Sequence, residues 1–200
     1  SIYLNETSRD EISDIILNLK DSNTVDIYDI STKFIKNSSE GISNNLTYLF
    51  NKSINEGVFP DLYKTAKVIP LHKGGSTLSV ANFRPISLLP IISKIFERLI
   101  YVRLMSFLND FNVLTTSQYG FQANKSTELA VNAIINRIIK SFEDKESAYS
   151  IFLDFAKAFD TVDHTILLSK LQYYGVRGTP LNLFQSYLTN RKQYTQVGNT

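Results

Sequence analysis

Tyr149-Ser150-Ile151-Phe152-Leu153-Asp154-Phe155-Ala156-Lys157-Ala158-Phe159-Asp160 decides how the rest of this chain is read. Its first seven residues form a compact β-branched and aromatic run behind the charged segment Glu143-Asp144-Lys145-Glu146, and the change of period predicts a buried strand over 149–155. An acidic residue set into such a run is costly unless it faces solvent, a metal or a partner, so Asp154 needs an explanation. A strand end reaching water is the commoner one for an arbitrary Asp. Two-metal phosphoryl or nucleotidyl transfer is the sharper one: Mg²⁺ prefers oxygen ligands near octahedral geometry, and carboxylates on rigid strands hold two ions about 4 Å apart. One Asp cannot do that alone.

Upstream, Ser8-Arg9-Asp10-Glu11 has the order of a capping box, and Ile12, Ile15, Ile16 and Leu19 recur on one face, which predicts a helix over 9–20. Residues 21–29 are polar and predict a loop. Ile42, Leu46, Leu49, Phe50 and Ile54, ended by Gly57 and Pro60, predict a second helix over 40–55. The β-branched run 66–71 suits a strand leading into the turn Gly74-Gly75-Ser76, where the chain doubles back. Ile92, Ile95, Phe96, Leu99, Val102 and Met105 mark a long helix to about Asn109. Another is capped by Ser126 or Asn124, with Val131, Ile134, Ile135, Ile138 and Phe142 as its buried face. Helices near 164–174, stopped by Gly175, and near 180–189, with Thr179 as cap and Pro180 at the first position, complete the set. Helices first and a central strand late point to an α+β class, helix-rich, with an incomplete sheet.

The composition is globular: 43% hydrophobic and 20% charged residues among 200, with 8 Gly and 5 Pro, exclude collagen-like and broadly disordered chains. No run approaches the roughly 20 apolar residues that span a bilayer, and residues 1–6 lack signal-peptide order, so a soluble protein without membrane partners is expected. Zero Cys removes disulfides and Cys-based zinc sites, and two distant histidines, His72 and His164, argue against a His-led metal site. Any metal would be held by carboxylates. Net charge is +2, unevenly placed: residues 1–60 carry 9 acidic and 5 basic side chains, leaving 10 and 16 for residues 61–200, or −4 and +6. That basic surplus is by itself weak evidence for nucleic acid. The start at Ser1 and the strand-like run cut at Val197-Gly198-Asn199-Thr200 suggest an excised fragment.

Four strings lie in an order that resembles a known family. Val68-Ile69-Pro70-Leu71-His72-Lys73-Gly74-Gly75, Asn82-Phe83-Arg84-Pro85-Ile86-Ser87-Leu88-Leu89 and Gln118-Tyr119-Gly120-Phe121-Gln122-Ala123-Asn124-Lys125-Ser126-Thr127 are similar to the fingers motifs of non-LTR (LINE-type, jockey-like) retrotransposon reverse transcriptases. Leu153–Asp160, continuing through Val162-Asp163-His164, resembles the first palm motif of the same family. Residues 1–65 resemble its leader, with two departures: Ser22-Asn23-Thr24-Val25-Asp26 replaces a Gly-rich turn, and Tyr63 stands where Trp is usual.

The resemblance implies a right-hand polymerase-like fingers and palm: an N-terminal helical extension over 1–65, fingers over 66–145 and a partial palm over 146–200. It implies that Asp154 ligates catalytic Mg²⁺ together with the carbonyl of Phe155, and that the amides of Lys157 and Ala158 meet the nucleotide triphosphate. Phe159 matches an aromatic steric gate that leaves no room for a 2′-OH; without the motif it would be read as an ordinary core aromatic. Lys73 and Arg84 match positions that clamp the triphosphate, Arg by planar bidentate contacts and Lys as a point charge. Gln118, Gly120, Phe121 and Lys125 match the segment that supports the template strand. His164 is weighed as a helix-capping residue above a catalytic one, and Asp160 and Asp163 are not assigned to metal.

Through Thr200 there is no aromatic-Ala-Asp-Asp string and no Gln-Gly-x-x-Leu-Ser segment, and the thumb is absent too. Missing carboxylates in a two-metal site cost roughly several kcal/mol, so these 200 residues alone are expected not to polymerise DNA. The implied activity of the intact protein is RNA-directed DNA polymerisation, with template RNA, a DNA primer and deoxynucleoside triphosphates as partners and nuclear action. The alternative is a catalytically inactive nucleic-acid-binding or interaction module derived from such an element.

Overall fold

A computed structural model describes residues 2–195; the expected strand-like run at 197–200 lies outside them. The chain divides into two compact units: Ser1–Phe107 together with His164–Thr200, and Leu108–Asp163 inserted between those segments. Helix and sheet are mixed, as the α+β expectation has it.

The larger unit opens with helix α1 (Arg9–Leu17). Ser8 caps it, its Oγ accepting from the Glu11 amide at 3.2 Å. The Glu11 carboxylate closes the capping box by accepting from the Ser8 backbone amide, and it also accepts from the Thr7 hydroxyl at 2.6 Å and from Arg103 at 2.8 and 2.9 Å. The polar stretch expected as a loop is followed by a short helix, α2 (Thr32–Asn37), which its six residues and one buried side chain, Ile35, kept below any periodic signal. Asp26 organises that loop by accepting from the Tyr28 and Ile30 amides, and its second oxygen takes the Ile91 amide at 2.7 Å, where the next long helix starts.

Helix α3 (Ser39–Glu56) buries Leu46, Phe50 and Ile54, and helix α4 (Ile91–Asp110) buries Ile95, Phe96 and Leu99. Val102, expected inside, is exposed, and Ile91 and Ile100 are buried instead. Phe96 stacks between Phe50 and Phe59 with ring centroids 4.5 and 5.2 Å apart. Each such side chain contributes about 1.5–3 kcal/mol by burial, with a further ~0.5–1.5 kcal/mol per well-placed ring pair. α3 ends at Gly57, whose left-handed backbone (φ 67°) lets it abut helix α7 (Thr179–Leu188): a Cβ there would come 2.8 Å from the Thr179 carbonyl oxygen. Helix α6 (His164–Tyr173) precedes α7. The N-cap of α7 is Gly178, so Thr179 is the first helical residue rather than the cap.

A three-stranded sheet runs in the order β2-β1-β3. β1 (Thr65–His72) pairs antiparallel with β2 (Phe83–Leu88) and parallel with β3 (Lys192–Thr195). β2 was not expected as a strand because Pro85 interrupts its donors; it is accommodated because Pro85 stands opposite Pro70, so a single non-hydrogen-bonded position absorbs both missing N–H groups. Lys64 is buried before β1, its ammonium bonded to the Asp61 carboxylate at 2.7 Å, and its carbonyl takes the Lys192 amide at 3.1 Å where β3 begins.

Between α4 and α7, burial pushes the Glu97 carboxyl above its ordinary range against the pull of Arg191, 3.8 Å away. Burial, then the neighbouring Glu97 charge, pushes the Tyr187 phenol up to about 12.

The smaller unit contains helix α5 (Thr127–Glu143), capped by Ser126 through the Leu129 amide at 3.2 Å. The expected buried face of α5 is not buried: Val131, Ile134, Ile135 and Phe142 are exposed and Ile138 is half-covered. Residues 149–155 are also a correction. They carry no strand assignment and are exposed, Leu153 at 82%. A lone apolar run gains a strand only when a neighbour takes its amides and carbonyls, and among the described residues the sheet pairs elsewhere. No helix among the described residues is long and apolar enough to cross a membrane.

Candidate active site

Asp154 lies exposed within the unpaired segment, and Phe155 follows it at the mouth of a turn. Lys157 adopts φ 54°, a left-handed conformation that a non-glycine residue seldom takes. Its carbonyl accepts from the Asp160 amide at 2.9 Å, from the Thr161 amide at 3.1 Å and from the Thr161 hydroxyl at 3.2 Å. This turn displays Lys157, Ala158 and Phe159 outward, with the Phe159 ring 77% exposed rather than in a core.

The second cluster of expected site residues folds on itself. Gln118 donates from Nε2 to the Gly120 carbonyl at 3.1 Å, and Gln122 reaches the Thr115 carbonyl at 3.4 Å. Lys125 donates to the Thr116 carbonyl at 3.1 Å and lies 4.7 Å from the centre of the Tyr119 ring. Phe121 has φ 59° and an exposed ring. That ring meets Phe159 edge-to-face, 5.8 Å between centroids with planes at 86°. The template-segment and sugar-side candidates of the smaller unit are thus brought together. No sequence signal anticipated the pair, since 38 residues separate them.

Lys73 and Arg84 belong to the larger unit. Leu71 pairs with Arg84, and the Lys73 amide donates to the Asn82 carbonyl at 2.9 Å, which continues the same register by one step of two residues. Side chains two apart share a face, so the alternation sets Lys73, Leu71 and Arg84 on one face of the hairpin; the opposite face carries His72 against Phe83, 5.1 Å between rings. The turn between them needs glycine at 75, where φ is 83° and a Cβ would sit 2.8 Å from the Asn82 side chain.

A divalent cation fits these residues only in part. Asp154 offers one carboxylate and Phe155 a carbonyl, while no three His, Asp or Glu side chains among the described residues group to hold a metal ion. Asp160 and Asp163 do not complete such a group.

Residues 71–199 match the family described as reverse transcriptase (RNA-dependent DNA polymerase). The chain is 35% identical over 162 residues to a protein of Drosophila melanogaster named "Probable RNA-directed DNA polymerase from transposon BS", covering 78% of this chain and 17% of that one. It is 35% identical over 154 residues to the "Probable RNA-directed DNA polymerase from transposon X-element" of the same organism, covering 74% and 16%. To "RNA-directed DNA polymerase from mobile element jockey", also of Drosophila melanogaster, it is 38% identical over 126 residues, covering 62% and 14%. The matched region spans about a sixth of the length of these curated relatives.

Proposed function

The chain belongs to the reverse transcriptase (RNA-dependent DNA polymerase) family, and from that premise we propose that it is the fingers and first palm section of a non-LTR retrotransposon polymerase. In the intact protein, a primer 3′-hydroxyl attacks the α-phosphate of a deoxynucleoside triphosphate paired to template RNA, and pyrophosphate leaves. Residues 1–65 are the N-terminal helical extension, 66–145 the fingers and 146–200 the opening of the palm, a right-hand polymerase arrangement whose sheet is completed by sequence outside this chain. Such a neighbour would give 149–155 the ladder it lacks.

Within this reading Asp154 is the catalytic carboxylate, sharing Mg²⁺ with Phe155 and with carboxylates from outside residues 1–200. The family generally uses divalent metal ions; the described residues by themselves do not hold one. Lys73 and Arg84 grip the triphosphate, the amides of Lys157 and Ala158 meet it, Phe159 selects against the 2′-hydroxyl, and Gln118, Gly120, Phe121 and Lys125 support the template. The observation that carries the reading is an exposed carboxylate inside an exposed apolar run, followed at once by a tight turn with a left-handed Lys157, all within the region matched to the family.

Asp154→Asn in the intact polymerase is the test. Primer extension with Mg²⁺ is expected to fall at least about a hundredfold, with primer–template binding retained. Near-normal extension would reject the metal role, and a wild-type protein that binds primer–template without extending it would favour the inactive module.

A further inference from the structure

The contact between Phe121 and Phe159 carries an inference that rests on the sugar-gate reading of Phe159 and deepens it. We propose that Phe121 is a positioning residue for the Phe159 ring, so that the loop assigned to the template strand also sets how strictly the site refuses ribonucleotides.

Two exposed rings meeting edge-to-face are poorly explained as core packing. Phe121 is 84% exposed and Phe159 77%, so each keeps most of its surface in solvent while touching the other at 5.8 Å and 86°. An unsupported Phe on a surface turn is free to change rotamer about two torsions. A sugar gate needs the opposite, a wall that stays where it is when a 2′-hydroxyl presses on it. An edge-to-face neighbour restrains the ring in that way.

The neighbour must itself be fixed, and the loop supplies this. Its backbone is held left-handed at residue 121, and Gln118, Gln122 and Lys125 tie it by side-chain donation to the carbonyls of Gly120, Thr115 and Thr116. On the other side, the Lys157 carbonyl gathers the amides of Asp160 and Thr161 and fixes the turn from which Phe159 projects. Two locked loops meeting through one ring pair form a lever: displacement of the template loop moves the wall of the sugar pocket.

The experiment uses the intact polymerase and reads the ratio of kcat/KM for a deoxynucleotide to that for the matching ribonucleotide, to which a uniform loss of activity does not contribute. Phe121→Ala should lower this ratio roughly two- to tenfold, the range that loss of one aromatic pair allows. Phe121→Leu should lower it as well, and Phe121→Tyr, which keeps the ring, should restore it. Phe159→Val should lower it further, and adding Phe121→Ala to Phe159→Val should change nothing more, because the ring being positioned is gone. If Phe159→Val shifts the ratio and both Phe121→Ala and Phe121→Leu leave it unchanged, the positioning role is wrong and the gate stands. If Phe159→Val leaves it unchanged, the gate reading fails and the positioning role falls with it. Additive effects in the double variant would also overturn the proposal, since they would mean that Phe121 acts on selectivity by another route.

Discussion

Glu11 shows how one side chain can hold several segments. Arg103 grips both of its carboxylate oxygens and also donates to the carbonyls of Asn5 and Glu6, so the N-terminal segment, α1 and α4 meet at one guanidinium. The Arg103 hydrogen bonds hold the Glu11 carboxyl below its ordinary value of 4.5. A carboxyl with a depressed folded value stabilises the fold above its unfolded value, and that contribution is lost as pH falls through the folded one. Glu11→Gln should therefore cost about 1–2 kcal/mol at neutral pH, discounted for partial exposure. The gap to the parent in urea midpoints should begin to narrow as pH falls below the ordinary value of 4.5 and close once it passes the depressed folded one; a gap that persists in strong acid would assign the loss to packing. At the same scale, Arg84→Ala in the intact polymerase should raise the deoxynucleotide KM about ten- to a hundredfold, with Arg84→Lys recovering only part, because a planar fork is replaced by a point charge. An unchanged KM would remove Arg84 from the nucleotide grip.

Among the elements, α3 is the most instructive because one helix holds two glycines with opposite consequences. Gly41 has open space where a Cβ would go, and Gly57 has the Thr179 carbonyl oxygen at 2.8 Å and a positive φ. Gly41→Ala should stabilise by about 0.5–1 kcal/mol through helix propensity. Gly57→Ala should destabilise by about 2–3 kcal/mol, adding left-handed strain to a collision with backbone that cannot yield. Thermal melts of the two variants against the parent check both signs. Elements were legible in the sequence in proportion to how locally they are caused. α1, α3 and α4 carry their own apolar stripes and were expected within a few residues. β2 was hidden by Pro85, whose tolerance depends on Pro70 across the ladder, and α2 is too short to show a period. The capping box at Ser8 was legible because both partners lie within four residues, whereas the grip of Arg103 on Glu11, 92 residues away, was not.

For the whole molecule, the clearest difference lies between apolar pattern and burial. α5 and residues 149–155 have the composition of buried elements and are exposed in the described structure. Periodicity reports which face would be covered, not whether a cover is present. Hydrogen exchange on residues 1–200 alone should show rapid exchange at 149–155 beside slow exchange in the middle of α3, because only the latter amides are laddered; protection across 149–155 would mean a pairing that the described residues do not show. Motif order identified the candidate site residues, because Asp154, Lys73 and the 118–125 loop are written in local strings. The meeting of Phe121 with Phe159 was not legible, since nothing local at either position announces the other.

β1 lies in the middle of its sheet, yet its two flanks are made at very different times. β2 follows after ten residues, while β3 comes only with Lys192–Thr195. As the polypeptide leaves the ribosome, the hairpin bearing Lys73 and Arg84 must wait, open along one side, through more than a hundred further residues. Translation that halts early would release that open border, a template on which other nascent chains can stack.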